Sequence, residues 1–177
     1  YKRQHKRLPE IYQIELTNRC NLKCPTCLRT TDMVRDEDLF SFDLLKKMKE
    51  RGDFAGTAYV ELQMAGEPTL HPQLGEIISY LKDSAGMMVG LSTHGLLIGK
   101  KKGVMEALFD LNDLTISVDS VDPEVYSQMR YPAKLPQLMK ALDTFFEAYA
   151  KRPEGRRPFV ELQLVRTPTQ PISGDAD

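Results

Sequence analysis

Runs with strand character alternate with runs of helical character along almost the whole chain. The helical runs place apolar residues three and four apart, as at Leu74, Ile77, Ile78 and Leu81, which is the stripe of a helix packed on one side. Strand-like runs span residues 11–17, 58–64, 88–93, 114–119 and 159–165. Helices are predicted over residues 41–52, 72–81, 104–109, 122–130 and 135–151. This repeated order predicts an α/β fold whose strands are mainly parallel and are joined by helical crossovers.

One face of every predicted strand is polar. The strands of a buried parallel sheet are normally apolar on both faces, and a closed barrel packed with Val and Ile would not accept this pattern. A partial (β/α) barrel with helices outside and a polar, open lumen would accept it, and this is the predicted fold. The alternative is a sheet with one face exposed to solvent. The alternating positions are Gln13, Glu15, Glu61, Gln63, Gly90, Ser92, Ser117, Asp119, Glu161 and Gln163.

Composition fits a folded domain without a strong charge bias. The chain has 177 residues, of which 41% are hydrophobic and 28% charged, and its net charge is −1. This length allows one domain with a core, and the charge offers no field that would attract nucleic acid or a membrane surface. No run approaches the roughly 18 apolar residues that span a bilayer, and no secretory signal is visible. We therefore expect a cytoplasmic protein with no nucleic acid or membrane partner.

Three regions are expected along the chain. Residues 1–10 form a basic N-terminal arm that includes "YKRQHKR". Residues 11–166 form the partial barrel. Residues 167–177, "TPTQPISGDAD", have the composition of a linker. Because only five strands are predicted, we expect this last segment to be a linker or the start of a missing C-terminal region.

All three cysteines of the chain lie in one short segment, at Cys20, Cys24 and Cys27. An odd number in a CxxxCxxC arrangement is a poor basis for disulfides, and it points to a reducing compartment and a metal or redox role. Thiolates bind iron–sulfur clusters, and three of them leave one iron of a [4Fe–4S] cubane without a protein ligand. That position is then open to a ligand, as in a catalytic zinc site. A zinc site completed by His5, His71 or His94 is the alternative.

The segment "ELTNRCNLKCPTC" resembles the cluster motif of the radical S-adenosylmethionine (radical SAM) superfamily. Further segments match in order: "MAGEP" at residues 64–68, "STHG" at 92–95, "SVD" at 117–119 and then Arg130. The resemblance covers about residues 8–166. It is closest to the branch with C-terminal extensions, which includes peptide maturases and cofactor-biosynthesis enzymes. Thr26, Ala65 and His94 depart from the family pattern.

The resemblance implies a role for each matching residue. Cys20, Cys24 and Cys27 would hold a [4Fe–4S] cluster and act in catalysis, and the remaining positions would bind S-adenosylmethionine. Gly66 and Glu67 would meet its ammonium group, although Glu67 could instead cap the following helix. Arg130 would pair with its carboxylate, unless it is a surface cation. The other implied contacts are Ser117 with the ribose or carboxylate, Asp119 on the same side, the Thr26 backbone with the adenine edge, and Leu164 against the adenine.

The resemblance also implies a reaction. A reduced cluster would cleave S-adenosylmethionine to methionine and a 5′-deoxyadenosyl radical, which would take hydrogen from a substrate. The electron would come from an external donor. We expect a peptide or protein side chain as substrate, with a small metabolite in cofactor or natural-product biosynthesis as the first alternative. A non-catalytic iron–sulfur protein, working in electron transfer or as a partner subunit, is the second alternative.

Overall fold

Five parallel strands form one sheet in the computed structural model, which describes residues 10–165. The strands are β1 (Ile11–Gln13), β2 (Tyr59–Leu62), β3 (Met88–Thr93), β4 (Asp113–Ser117) and β5 (Phe159–Gln163). Each pairs with the next along the chain, so the order in the sheet is β1-β2-β3-β4-β5. This unreversed order is that of a (β/α) barrel, in contrast to a doubly wound sheet. The basic arm up to residue 9 and the predicted linker lie outside the described residues.

Helices connect successive strands, as the pattern of apolar residues predicted. They are α1 (Leu28–Thr31), α2 (Phe42–Glu50), α3 (Leu74–Ser79), α4 (Val104–Phe109), α5 (Pro123–Met129) and α6 (Leu135–Ala150). One π-helical turn, Tyr80–Ser84, continues α3, and 3-10 turns occupy Pro68–Leu70 and Glu154–Arg156. The hydroxyl of Ser41 caps α2 by accepting from Leu44 N, and the carboxylate of Asp122 caps α5. Within the described residues, no helix is both long and apolar enough to cross a membrane.

The two faces of the sheet differ as the alternating pattern predicted. One face is apolar, and on β2, β3 and β4 it is buried against the helices, where it forms a single core. Its strand residues are Val60, Leu62, Val89, Leu91, Leu114 and Ile116, and the helices contribute Ile77, Leu108, Leu138 and Phe145 among others. The opposite face holds the polar series, with Glu61 beside Gly90 and Ser117 beside Gln163 in the register. The predicted fold, a partial barrel with helices outside and a polar lumen, is therefore the observed one.

Gly90 makes room for a polar pair on the lumen face. A Cβ at this position would lie 1.8 Å from the Tyr59 hydroxyl oxygen and 2.4 Å from a carboxylate oxygen of Glu61. The Tyr59 hydroxyl donates to Glu61 Oε2 at 2.8 Å. Burial raises the pKa of Glu61, and the nearby Asp113 adds to this, although the Tyr59 hydrogen bond opposes it. The lumen face is therefore packed tightly enough that one strand position must lack a side chain.

Several strands end earlier than the sequence predicted. β1 was expected to reach residue 17 but ends at Gln13, and only Ile14 N continues the ladder by donating to Glu61 O at 2.9 Å. The hydroxyl of Thr17 instead donates to Asp38 O at 2.8 Å, because the chain has turned away from the sheet. β4 was expected to reach residue 119 but ends at Ser117. The segments that leave the sheet in this way surround one cavity.

Candidate active site

A cavity of about 270 Å³ lies at the carboxyl ends of the strands. Ligand sites of parallel α/β sheets and barrels form at this edge, because loops following several strands converge there. The cavity brings together nearly all of the predicted site residues, which come from four separate segments of the chain. Those that line it are Cys20, Cys24, Thr26, Cys27, Gly66, Glu67, Ser117, Asp119 and Arg130.

Leu164 is the predicted site residue that the structure places elsewhere. Its side chain is 57% exposed and is absent from the residues described as lining the cavity, whereas its neighbours Gln163 and Val165 do line it. Side chains alternate between the two sides of an extended chain, so the residues on either side of Leu164 face the lumen. An apolar contact with a ligand from this strand would therefore come from Val165.

The cysteine loop holds three free thiols, each partly exposed. The Leu22 N–H donates to the Cys20 sulfur at 3.4 Å. Cys27 N donates to Cys24 O at 3.1 Å, which closes a turn, and the Cys27 thiol faces Ala65 O at 4.0 Å. Cys27 then stands at the N-terminus of α1. The loop therefore presents all three sulfurs to one cavity without pairing any of them.

Burial raises the pKa of two of these thiols. It raises the pKa of Cys20 to about 11, and the nearby Glu67 adds to this. Burial also raises the pKa of Cys24, although the positive charge of Arg130 opposes the shift. Metal ligation requires thiolates, so binding at this loop would release protons.

Backbone and side-chain bonds fasten the loop from several directions. Arg29 Nε donates to Asn18 O at 2.7 Å, and its Nη1 donates to Leu22 O at 3.4 Å. Lys23 N donates to Tyr131 O at 2.7 Å, which ties the loop to the segment after α5. Arg29 was not predicted, because an arginine two residues after a cysteine carries no distinguishing pattern.

Gly66 is required by packing against the cysteine segment. A Cβ there would lie 1.9 Å from Thr17 O and 2.8 Å from the Asn18 Cα. The family resemblance places this glycine beside the ammonium group of a ligand, and the structure adds a reason within the chain itself, since only a residue without a Cβ fits here. The adjacent Ala65 N donates to a Glu15 carboxylate oxygen at 3.1 Å. The segment after β2 and the segment after β1 are thus held in direct backbone contact.

Glu67 is buried and both of its carboxylate oxygens accept hydrogen bonds. Oε1 accepts from Thr69 N at 3.0 Å, from the Thr69 hydroxyl, and from the Thr93 hydroxyl at 2.7 Å. Oε2 accepts from His94 N at 3.0 Å. Glu67 therefore caps the 3-10 turn that follows it, which is the alternative role considered for it, and also joins the ends of β2 and β3. A contact with the ammonium group of a ligand would be additional to these bonds.

His94 links the end of β3 to the cysteine loop. Its Nδ1 accepts from Leu96 N at 3.0 Å, and its Nε2 lies 2.9 Å from Asn21 Oδ1. Burial lowers the pKa of His94, so the ring is neutral near pH 7, although Glu67 opposes the shift. Because Nδ1 is an acceptor, the single ring proton is on Nε2 and points to Asn21. Neither Asn21 nor this bond was predicted, since 73 residues separate the partners.

Asp119 and Arg130 form an ion pair on the other side of the cavity. Arg130 Nε donates to Asp119 Oδ2, so the cation expected to meet a ligand carboxylate already has an anionic partner. Asp119 has φ of 63°, a left-handed conformation that Asp tolerates better than most residues. Its Oδ1 is buried and has no hydrogen-bond partner among the described residues. This oxygen is the polar atom of the cavity that most needs a donor.

Comparison with known protein families shows which family the chain belongs to. The model of the Radical SAM superfamily matches residues 14–152. The chain belongs to the Radical SAM superfamily. Members of this superfamily use a [4Fe–4S] cluster and S-adenosylmethionine, and the resemblance read from the cysteine motif is thereby confirmed.

Two curated relatives are GTP 3′,8-cyclases. The chain is 27% identical over 136 residues to a probable GTP 3′,8-cyclase of Methanococcus maripaludis, covering 77% of this chain and 45% of that protein. It is 28% identical over 139 residues to the enzyme of Vibrio cholerae, covering 76% of this chain and 41% of that one. The chain thus spans less than half the length of these relatives.

A solved radical SAM structure confirms the architecture. Streptococcus suis SuiB, bound to its precursor peptide SuiA, matches 92% of this chain and 34% of its own chain with a TM-score of 0.71 and 18% identity. At this identity the likeness concerns the fold alone. The five-stranded sheet and its helices therefore correspond to part of a larger radical SAM structure.

The donor set fits the superfamily's cluster. All three sulfurs are free and line one cavity, yet no group of three or more His, Cys, Asp or Glu side chains in residues 10–165 is placed to hold a single metal ion. Ligands of a cubane bind different irons and are spread more widely than ligands of one ion. The family match therefore favours a cluster over a zinc site completed by His71 or His94, and His5 lies outside the described residues. The unpaired Asp119 Oδ1 in the same lining suits a cosubstrate that presents hydrogen-bond donors.

Proposed function

We propose that this chain forms the cluster-binding and cosubstrate-binding core of a radical SAM enzyme that acts on a small metabolite. One observation supports the core of the proposal above all others. Three unpaired cysteines, from a chain matching the Radical SAM superfamily over residues 14–152, line one polar cavity at the carboxyl ends of the strands.

The residues of the cavity would divide the work between cluster and cosubstrate. Cys20, Cys24 and Cys27 would hold the cluster, which supplies the electron that cleaves S-adenosylmethionine to a 5′-deoxyadenosyl radical. Asp119 Oδ1 would accept from a donor of the cosubstrate, and Ser117 stands beside it in the lining. An external electron donor would reduce the cluster. The lumen face of the sheet would hold the substrate next to the cosubstrate and exclude water.

The relatives favour a small metabolite over the peptide substrate expected from the sequence. Both matched enzymes are GTP 3′,8-cyclases by name, so a purine nucleoside triphosphate is the first candidate to test. Arg130 is the only arginine or lysine described as lining the cavity, and it pairs with Asp119. Tight binding of a triphosphate would therefore need cations beyond these residues, since phosphate groups are held by several charged donors.

Cosubstrate cleavage is the direct test. The chain is reconstituted with iron and sulfide without oxygen, reduced with dithionite and given S-adenosylmethionine, and 5′-deoxyadenosine is measured by mass spectrometry. We expect product from the wild-type chain and none from Cys24→Ala, whose far-UV circular dichroism should remain unchanged because Cys24 is not part of a helix or strand. A chain carrying a full cluster that forms no 5′-deoxyadenosine would contradict the proposal and favour a non-catalytic iron–sulfur protein.

The substrate class is tested by stimulation of the same reaction. GTP, other nucleoside triphosphates and a set of peptides are each added to the reduced, loaded protein. We expect nucleotides to accelerate 5′-deoxyadenosine formation and peptides to leave it unchanged. Acceleration by peptides alone would return the peptide hypothesis to first place.

A further inference from the structure

The side chain of His94 extends from the carboxyl end of β3 to the cysteine loop. Its ring is buried, with 4% exposure, while its partner Asn21 lies immediately after Cys20 and is exposed. The bond from His94 Nε2 to Asn21 Oδ1 is 2.9 Å long, against 3.4 Å from Nε2 to the nearest Glu67 oxygen. The ring proton is therefore directed mainly at the loop and not at the buried carboxylate.

The same histidine is itself firmly held. Its backbone N–H donates to Glu67 Oε2 at 3.0 Å, and its Nδ1 accepts from Leu96 N at 3.0 Å. Thr93 on its other side donates to the same carboxylate at 2.7 Å. A side chain fixed at both backbone and ring is a rigid point of attachment for a loop that has no regular secondary structure of its own.

We infer that His94 is a positioning residue, which acts through Asn21 to hold the Leu22 N–H against the sulfur of Cys20. Leu22 follows Asn21 directly, and its N–H lies 3.4 Å from that sulfur. An N–H donated to a ligating sulfur is one of the factors that set the potential of an iron–sulfur cluster. The inference rests on the proposed function only in taking Cys20 as a cluster ligand.

Two substitutions separate the two hydrogen bonds of the ring. The amide of Asn at position 94 places an oxygen near the site of Nδ1, so His94→Asn keeps the acceptor for Leu96 N and removes the donor to Asn21. The longer amide of Gln places a nitrogen near the site of Nε2, so His94→Gln keeps the donor and removes the acceptor. The pair is a matched control for the loss of the imidazole ring.

The experiment measures alkylation of each cysteine in the metal-free chain with iodoacetamide, at one pH and without cosubstrate, by mass spectrometry. Loosening the Leu22 N–H that is donated to the Cys20 sulfur should slow labelling of Cys20, by up to about tenfold, in His94→Asn and in Asn21→Ala, because that N–H stabilises the thiolate that reacts. His94→Gln should stay within about twofold of wild type. The double variant of His94→Asn with Asn21→Ala should label no more slowly than the slower single variant, because both changes remove the same bond.

Two labelling results would overturn the inference. One is unchanged labelling of Cys20 in Asn21→Ala, a variant that leaves the buried core untouched and so remains informative if His94→Asn folds poorly. The other is a double variant whose effect is the product of the single effects, since His94 would then act independently of Asn21. Labelling involves no cluster or turnover, so its outcome is separate from that of the cleavage assay.

The cluster potential gives a second readout that a purely structural histidine would not change. In the reconstituted protein, His94→Asn and Asn21→Ala should both lower the midpoint potential, because they loosen the N–H donated to the Cys20 sulfur. His94→Gln should leave the potential near the wild-type value. Equal potentials in all four proteins would remove the proposed link between His94 and the cluster.

Discussion

The two sides of the cavity differ in how completely their polar atoms are bonded. On the first side, which we call the framework flank and which comprises Gly66, Glu67, Thr93 and His94, every oxygen of the Glu67 carboxylate accepts from the chain. On the second side, the ligand flank of Ser117, Asp119 and Arg130, Asp119 Oδ1 has no partner among the described residues.

A second buried group near the ligand flank is unpaired. The hydroxyl of Tyr126 on α5 has no hydrogen-bond partner in residues 10–165, and burial raises its pKa to about 12. An unpaired buried polar atom costs free energy, about 1–3 kcal/mol in proteins. A folded chain keeps such a cost most readily where a ligand will remove it. Under the proposed function, the framework flank would build the site and the ligand flank would receive the cosubstrate.

The strongest test of the framework flank is Gly66→Ala. The new Cβ would lie 1.9 Å from Thr17 O, and backbone atoms cannot move aside as a side-chain tip can. We expect a loss of about 3 kcal/mol in the free energy of unfolding, measured with urea. Gly75→Ala in α3 is the control, because its Cβ would meet the Ala107 Cβ at an ordinary 3.9 Å. The control should be neutral or stabilised by about 0.5–1 kcal/mol. Equal effects would show that the close contact is not a constraint.

The comparison between the flanks predicts that Glu67→Gln mainly lowers stability, whereas Asp119→Asn mainly weakens binding of S-adenosylmethionine. Glu67→Gln should cost about 1–3 kcal/mol of stability, since an amide cannot accept from all of the donors around it. Asp119→Asn should cost about 1 kcal/mol or less, because its remaining oxygen can still accept from Arg130. S-adenosylmethionine binding by calorimetry should weaken about tenfold in Asp119→Asn and change little in Glu67→Gln. The opposite order of affinities would assign the cosubstrate ammonium to Glu67, as the family resemblance implied.

A smaller effect is expected from Ser117→Ala on the ligand flank. If Ser117 donates to the cosubstrate, losing that bond should cost about 0.5–1.5 kcal/mol of binding free energy. The stability of the chain should be unaffected, because Ser117 is only partly buried at the end of β4. Thr115→Ser is the control, because Thr115 lies two residues earlier in β4 on the same face of the sheet, and it should leave the dissociation constant unchanged. An unchanged value for Ser117→Ala as well would make Ser117 a structural residue.

The smallest effect concerns the floor of the lumen, below both flanks. Burial raises the pKa of Glu61 in the folded chain, so its contribution to stability is complete below its unfolded pKa and is lost as pH rises through the folded value. Glu61→Gln should therefore gain stability relative to wild type between about pH 4 and about pH 7. Urea unfolding at both pH values measures this difference, with the exposed Glu106→Gln as control. If Glu61→Gln instead gained stability relative to wild type on acidification, hydrogen bonding would outweigh burial in setting the pKa of Glu61.

Local patterns were enough to predict much of this architecture. Helix stripes and strand runs depend on neighbours a few residues away, so the order of elements and the start of α2 near residue 41 were predicted correctly. The polar lumen face followed from a period of two, which any extended strand imposes. Strand ends were less predictable, because they depend on where the ladder meets another segment, as at Thr17 and Ser117.

What the sequence determined by itself is the donor set and the fold that surrounds it. Three cysteines at this spacing after a first strand supply the same set of sulfur ligands however the rest of the chain is arranged. Only the tertiary structure decided how the cavity is divided. The contact of Gly66 with Thr17, the bond between Asn21 and His94 and the cavity lining by Val165 in place of Leu164 join residues that are distant in sequence or depend on which way a strand faces. Such contacts arise from packing, and packing is a property of the folded chain and not of any one segment.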